Sequence, residues 1–139
     1  MTEQLSPPSG ATTLVCFTKV PADTPWWKPP VTIQKGERYF FRASGLWLDA
    51  SIEHDPNGRE VEKLGKFKRF IRCKENGATW FTLIGSVEKD SQSFFPIGDG
   101  SLWPDGWVAT KSGQFYCFAN DVRVMYWNNK LKIDLEIWQ

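Results

Sequence analysis

Between positions 131 and 137 the chain reads LKIDLEI, with Leu131, Ile133, Leu135 and Ile137 separated one by one by Lys132, Asp134 and Glu136. A period of two belongs to a strand; on a helix the same spacing would scatter the apolar residues around the whole circumference. The run predicts a half-buried antiparallel strand, with one face toward a core and the other in water. TLVCFTKV (13–20), RYFFRA (38–43), TWFTLIGSV (79–87), SFFPIG (93–98) and QFYCFAN (114–120) predict further strands. They are rich in aromatic and β-branched residues and are bounded by Gly, Pro, Asn or Asp. TPWWKPP (24–30), DPNGRE (55–60), GDGSLWPDG (98–106) and KSG (111–113) fall between them as turns and loops. No stretch of a dozen residues keeps a helical period, so the expectation is an all-β sandwich or barrel.

A chain of 139 residues suits one domain, and at this length roughly two thirds of the unfolded surface is buried on folding. The Ser, Pro and Gly of MTEQLSPPSGATT predict a flexible tail over 1–12, leaving a single β-sandwich domain over 13–139. Eight Trp and ten Phe exclude a disordered chain and favour β structure and stacking surfaces. Seventeen basic against sixteen acidic residues leave almost no net field, so attraction to nucleic acid or to an anionic membrane is not expected. No apolar run is long enough to span a bilayer. Cys16, Cys73 and Cys117 form no CxxC pair and read as reduced, structural thiols. With no secretory signal at the N-terminus, they favour a cytoplasmic setting, or export by a route without such a signal.

Chemistry-bearing motifs are sparse. Trp26 and Trp27, held between prolines in TPWWKPP, suit either stacking on a sugar face or packing over an open end of the sandwich, and packing is the favoured reading. KLGKFKRFIRCK (63–74) interleaves six cations with Phe67, Phe70 and Ile71, a pattern used on single-stranded nucleic acid. The flanking Glu60, Glu62 and Glu75 favour instead a solvated segment with snorkelling stems. The only histidine, His54, lies among Asp49, Glu53, Asp55 and Glu60 without a second nitrogen or thiolate nearby, which favours a polar surface turn around Pro56-Asn57-Gly58. GxSxG, HExxH and glycine-rich phosphate loops are absent, so hydrolytic catalysis has little support and no enzyme is expected.

NDVRVMYWNNK (120–130) is the most informative segment. As a hairpin, Val122 to Tyr126 would continue a strand and Asn128-Asn129 would form a type I′ turn. An extended backbone would then hold Asp121 and Asn128 about 23 Å apart, at 3.3 Å per residue. As a folded loop, the same stretch would gather a carboxylate, carboxamide oxygens and main-chain carbonyls around a hard cation such as Ca²⁺. Residue chemistry alone leaves both readings open.

The order GERYFFRASGLW (36–47), DPNG (55–58), LIGSV (83–87), FFPIG (94–98), SGQFYCFAND (112–121) and NN (128–129) resembles the calcium-dependent galactophilic bacterial lectins, the LecA-like family of galactose-binding-like domains. The likeness runs from about Val31 to Ile137. It implies a jelly-roll β-sandwich of two antiparallel sheets with one loop-bound Ca²⁺ whose coordination is completed by two sugar hydroxyls. By the same resemblance Asp121, Asn128 and Asn129 are the metal ligands, with main-chain oxygens from Met125 and Asp49. Asn120, Asp121 and Asn128 are then expected to bond sugar hydroxyls, and Trp127, Trp47 or Trp103 to stack on the ring.

This chain has Arg123-Val124-Met125 and Trp127 where the family has Pro-Gly-Thr and a glycine. Arg59, Glu60, Val61 and Glu62 replace the family's galactose-contacting His and Gln, so the resemblance carries carbohydrate binding further than galactose itself. It also implies a homo-oligomer. The alternative is a metal-free sandwich serving as a protein-interaction or structural subunit.

Overall fold

The computed structural model of the chain describes residues 5–60, 70–74 and 77–139. They form β1 (Leu14–Pro21), β2 (Thr32–Ile33), β3 (Arg38–Ser44), β4 (Trp47–Asp49), β5 (Ile52–His54), β6 (Leu83–Val87), β7 (Phe95–Pro96), β8 (Trp107–Val108), β9 (Gly113–Ala119), β10 (Asn129–Lys130) and β11 (Lys132–Trp138). Among the described residues there is no α-helix; short 3-10 helices cover Ser91–Ser93 and Arg123–Asn128. The expected all-β class is the one found.

One four-stranded sheet runs β1-β11-β3-β8 and a second runs β2-β9-β6-β7, with β10-β4-β5 as a separate three-stranded sheet. All the pairings within them are antiparallel. The two larger sheets share a core into which aromatic side chains from both are interleaved. Phe41 of β3 meets Phe115 of β9 at 6.2 Å and Phe95 of β7 at 5.8 Å, while Phe95 stacks on Trp107 at 4.0 Å with an interplanar angle of 8°. Such offset contacts add about 0.5–1.5 kcal/mol each beyond the area they bury. Much of the chain's aromatic load is spent here rather than on a binding surface.

Two features depart from the alternation of LKIDLEI. Ile133, Leu135 and Ile137 enter the core, but Leu131 does not: it is 56% exposed at a φ of 72°, just before β11 begins. Its carbonyl accepts from Ala22 N (3.0 Å), tying the turn to the end of β1. Glu136, expected in water, is buried. Arg42 of β3 grips its carboxylate through Nε (3.0 Å) and Nη2 (2.7 Å), and Trp138 Nε1 donates to it at 3.0 Å.

The N-terminal segment covers this face. Ala11 is buried against Phe40 and Trp138, Thr12 N and Thr13 N donate to Gln139 O at 2.7 and 2.8 Å, and Arg42 Nη2 also donates to Ser6 O. A paired charge with its bonds filled can occupy such a buried position.

The favoured packing role of TPWWKPP is the one observed. Trp27 pairs its backbone with Cys117 and donates from Nε1 to Thr18 Oγ1 at 2.9 Å, while Trp26 packs on Phe94, Tyr116 and Phe118. The three cysteines are free thiols, and burial pushes the Cys117 thiol far above its usual range. Of the KLGKFKRFIRCK segment, positions 63–69 lie outside the described residues, as do Val61, Glu62 and Glu75. Its described end is not a solvated run: Ile71 is buried and bridges to Val122, and Cys73 is buried.

Candidate functional site

β9 delivers Asn120 and Asp121 to one end of the fold, and the segment after them is neither a continued strand nor an Asn-Asn hairpin turn. Arg123–Asn128 coil into a 3-10 helix that returns the backbone to β10. Met125 N donates to Val122 O (2.9 Å), and Asn129 N closes the last turn on Tyr126 O. Tyr126 anchors the turn: its ring is buried, and its hydroxyl donates to Ala119 O and accepts from Arg72 Nη1 at 2.8 Å. The folded alternative of the sequence is therefore the observed one. Composition concealed this, because apolar residues on a short 3-10 turn read like those of a strand.

The turn brings Asp121 and Asn129 together. Asn129 Nδ2 donates to Asp121 Oδ2 at 2.9 Å and to Ala22 O at 3.1 Å, while Val122 N donates to Asp121 Oδ1 at 2.7 Å. Asn129 pairs across the strands with Asp49 of β4, and Asn128 O accepts from Ala50 N at 3.0 Å. Asp49, Asp121 and Asn129 are all buried. Burial, and then the charge of Asp49, push the Asp121 carboxyl up to about 6, against the pull of its bonds from Asn129 and Val122 N–H.

The oxygens Asn128 Oδ1 and Asn129 Oδ1 are buried with no hydrogen-bond partner. A buried acceptor left unmade costs about 1–3 kcal/mol, and Asn129 is tied to both carboxylates, by its amide bond to Asp121 and by its strand pairing with Asp49. Carboxylate and carboxamide oxygens are donors of the kind a hard cation such as Ca²⁺ takes. No cluster of three or more His, Cys, Asp or Glu occurs among the described residues.

The remaining expected residues fall in different places. Met125 lies in the 3-10 helix and packs against the core. Trp127, in the same helix, is 82% exposed, more than any other large apolar side chain among the described residues. Trp47 is wholly buried, edge-on to Phe81 at 6.0 Å, with Nε1 donating to Val20 O (2.9 Å), so it has no free face for a sugar.

Trp103 is half-buried on Phe95, with Nε1 on Pro96 O (2.8 Å). Asn120 is a backbone clamp: Oδ1 accepts from Cys73 N (2.9 Å), and Nδ2 donates to Cys73 O (2.8 Å) and Thr79 O (2.9 Å). These bonds leave it little capacity for a ligand. His54 is likewise not at the surface. It is buried and stacked on Phe81 at 4.4 Å, with neither ring nitrogen bonded.

No protein-family model matches the chain, and no curated protein matches it. A solved structure described as the EclA N-terminal domain, a PllA-like lectin, is similar in fold, with a TM-score of 0.66 over 91% of this chain and 97% of that one at 19% sequence identity. That likeness shows the β-sandwich fold.

Proposed function

We propose that this chain is a non-enzymatic carbohydrate-binding domain whose sugar is recognised through a loop-bound Ca²⁺. The observation that carries the reading is the buried Asn129, which bonds Asp121 and pairs with Asp49 while its own Oδ1, like that of adjacent Asn128, is buried with no hydrogen-bond partner. Asp121, Asn128 and Asn129 would hold the ion through side-chain oxygens, with Met125 and Asp49 adding main-chain or carboxylate oxygen. When bound, the ion supplies coordination positions that vicinal sugar hydroxyls can fill.

The chain's own residues do the rest. The backbone bond from Ala50 to Asn128 fixes β4 against the returning turn, and Asn129 fixes the rotamer of Asp121. Trp127, exposed to solvent near the C-terminal end of that turn, offers an indole face to the apolar side of a sugar ring. The solved structure of similar fold is itself described as a lectin, which agrees with this reading.

The test is thermal melting with Ca²⁺ and with EDTA, run beside a glycan array in both conditions. A ligand at a hundredfold excess over its Kd stabilises a fold by about 2.7 kcal/mol, a rise of several degrees for a domain of this size. Calcium should raise the melting temperature and EDTA should abolish glycan binding. A melting temperature indifferent to both, with glycan signal surviving EDTA, overturns the proposal.

A further inference from the structure

A cavity of about 330 Å³ adjoins the 3-10 turn at Arg123, lined by Trp26, Arg72, Lys89, Ser91, Phe94 and Arg123. Of these six described lining side chains three are cationic and none is acidic, in a chain whose net charge is only +1.

Arg72 is the centre of this cavity. Its guanidinium lies 3.5 Å from the Phe118 ring centroid and 4.4 Å from that of Trp26. Nη1 donates to Pro25 O (2.6 Å) and Tyr126 Oη (2.8 Å), whereas Nη2 is buried with no acceptor. Arg72 has no carboxylate partner among the described residues. Burial, and the neighbouring charge of Arg123, pull its guanidinium below the usual range while Tyr126 opposes them.

Lys89 stands 5.9 Å from the Trp26 ring and 5.6 Å from that of Tyr116. The carboxylates beside it in sequence are engaged elsewhere: Glu88 accepts from Gln114 N at 3.0 Å, and Asp90 from Gln92 N at 3.0 Å and Lys111 Nζ at 2.9 Å.

We propose that this cavity is an oxyanion site for a sulfate or phosphate group, free or esterified, held by Arg72 Nη2, Lys89, Arg123 and the Ser91 hydroxyl. A doubly charged tetrahedral group suits cations drawn from three separate segments better than a lone carboxylate does. It would also supply the acceptor that Nη2 lacks. The aromatic walls exclude water from one side of the cavity and strengthen each charge-assisted bond.

The site is independent of the proposed calcium centre, so the experiment is run in EDTA. Sodium sulfate is titrated calorimetrically into the full chain at low ionic strength, against sodium chloride at matched ionic strength, with glucose 6-sulfate and glucose as further arms. Sulfate should bind and chloride and glucose should not. Lys89→Gln and Arg123→Gln lie at exposed positions, so each should leave the sulfate-free melting temperature unchanged. Each should weaken sulfate binding about tenfold, the loss expected for one charge-assisted bond.

Glucose 6-sulfate binding more tightly than sulfate assigns the site to an esterified group; equal affinity assigns it to the free anion. Chloride matching sulfate, or a K89Q/R123Q double variant binding sulfate as well as the parent chain, overturns the inference.

Discussion

Asn129 Nδ2 donates to Asp121 Oδ2 at 2.9 Å, with only 3% and 2% of the two residues exposed. The bond spans the 3-10 turn, so a carboxylate and an asparagine that an extended chain would hold far apart share one buried space. Asp121 and Asp49 both bring negative charge to that space, and the bond itself neutralises little of it.

Asp121→Asn separates fold from metal. It removes the buried charge, a gain, but turns an amide donor toward Val122 N–H or the Asn129 amide, a loss of about 1 kcal/mol. The two effects oppose, so the variant should melt in EDTA within a few degrees of the parent chain near neutral pH. It should lose the rise that Ca²⁺ produces in the parent. Melting curves of both chains with Ca²⁺ and with EDTA check this.

His54 and Asp121 should give pH dependences of opposite sign. Burial, then the charge of Arg59, hold the His54 imidazole at about 4, below its ordinary 6.5. The unfolded chain therefore takes up that proton first, and stability is lost as pH falls from 6.5 toward 4, by roughly 3 kcal/mol. Asp121, raised to about 6 from 3.8, keeps a proton in the fold that the unfolded chain has released. Its contribution is present at low pH and is lost as pH rises through that window, again by roughly 3 kcal/mol.

The two slopes nearly cancel in the parent chain in EDTA. His54→Phe, which keeps the stack on Phe81, should expose a stability that falls with rising pH, and Asp121→Asn one that climbs. Denaturant midpoints measured across this pH range distinguish them.

Trp127→Ala tests the stacking role. At 82% exposure the indole contributes little to the core, so the melting temperature should hold within about a degree. Loss of a ring-face contact should weaken glycan binding about three- to tenfold. An unchanged glycan affinity would show that the ring lies elsewhere.

The long strands were legible because burial of one face imposes a period: β1, β3, β9 and β11 each run seven or eight residues. β2, β4, β5, β8 and β10 have only two or three residues, too few to show any period. That is why Trp47, at the start of β4, read as a surface aromatic while its indole nitrogen in fact closes on Val20 O inside the core. Asn120 misled in the same way, since a carboxamide beside a candidate ligand gives no sign that backbone groups from two other segments will use it. Arg72 was hidden within a run of cations, and only the fold shows its ring of aromatic neighbours.

Gly58 closes the DPNG turn under tight steric control. Asp55 Oδ1 accepts from Asn57 N at 2.9 Å, Gly58 N donates to Asp55 O at 3.0 Å, and Asn57 Oδ1 accepts from Asp99 N at 2.9 Å. At Gly58 φ is 67°, and a Cβ would stand 2.2 Å from Trp80 O and 2.4 Å from Thr82 N. Gly36 also has a positive φ, 88°, but a Cβ there meets nothing within 4 Å. Gly36→Ala should therefore cost only the conformational strain, about 1 kcal/mol. Gly58→Ala adds a displacement of the backbone leading into β6 and should cost about 2–4 kcal/mol in all. Urea unfolding of the two variants side by side measures the difference, and equal midpoints would mean that the turn is free to move away from Trp80.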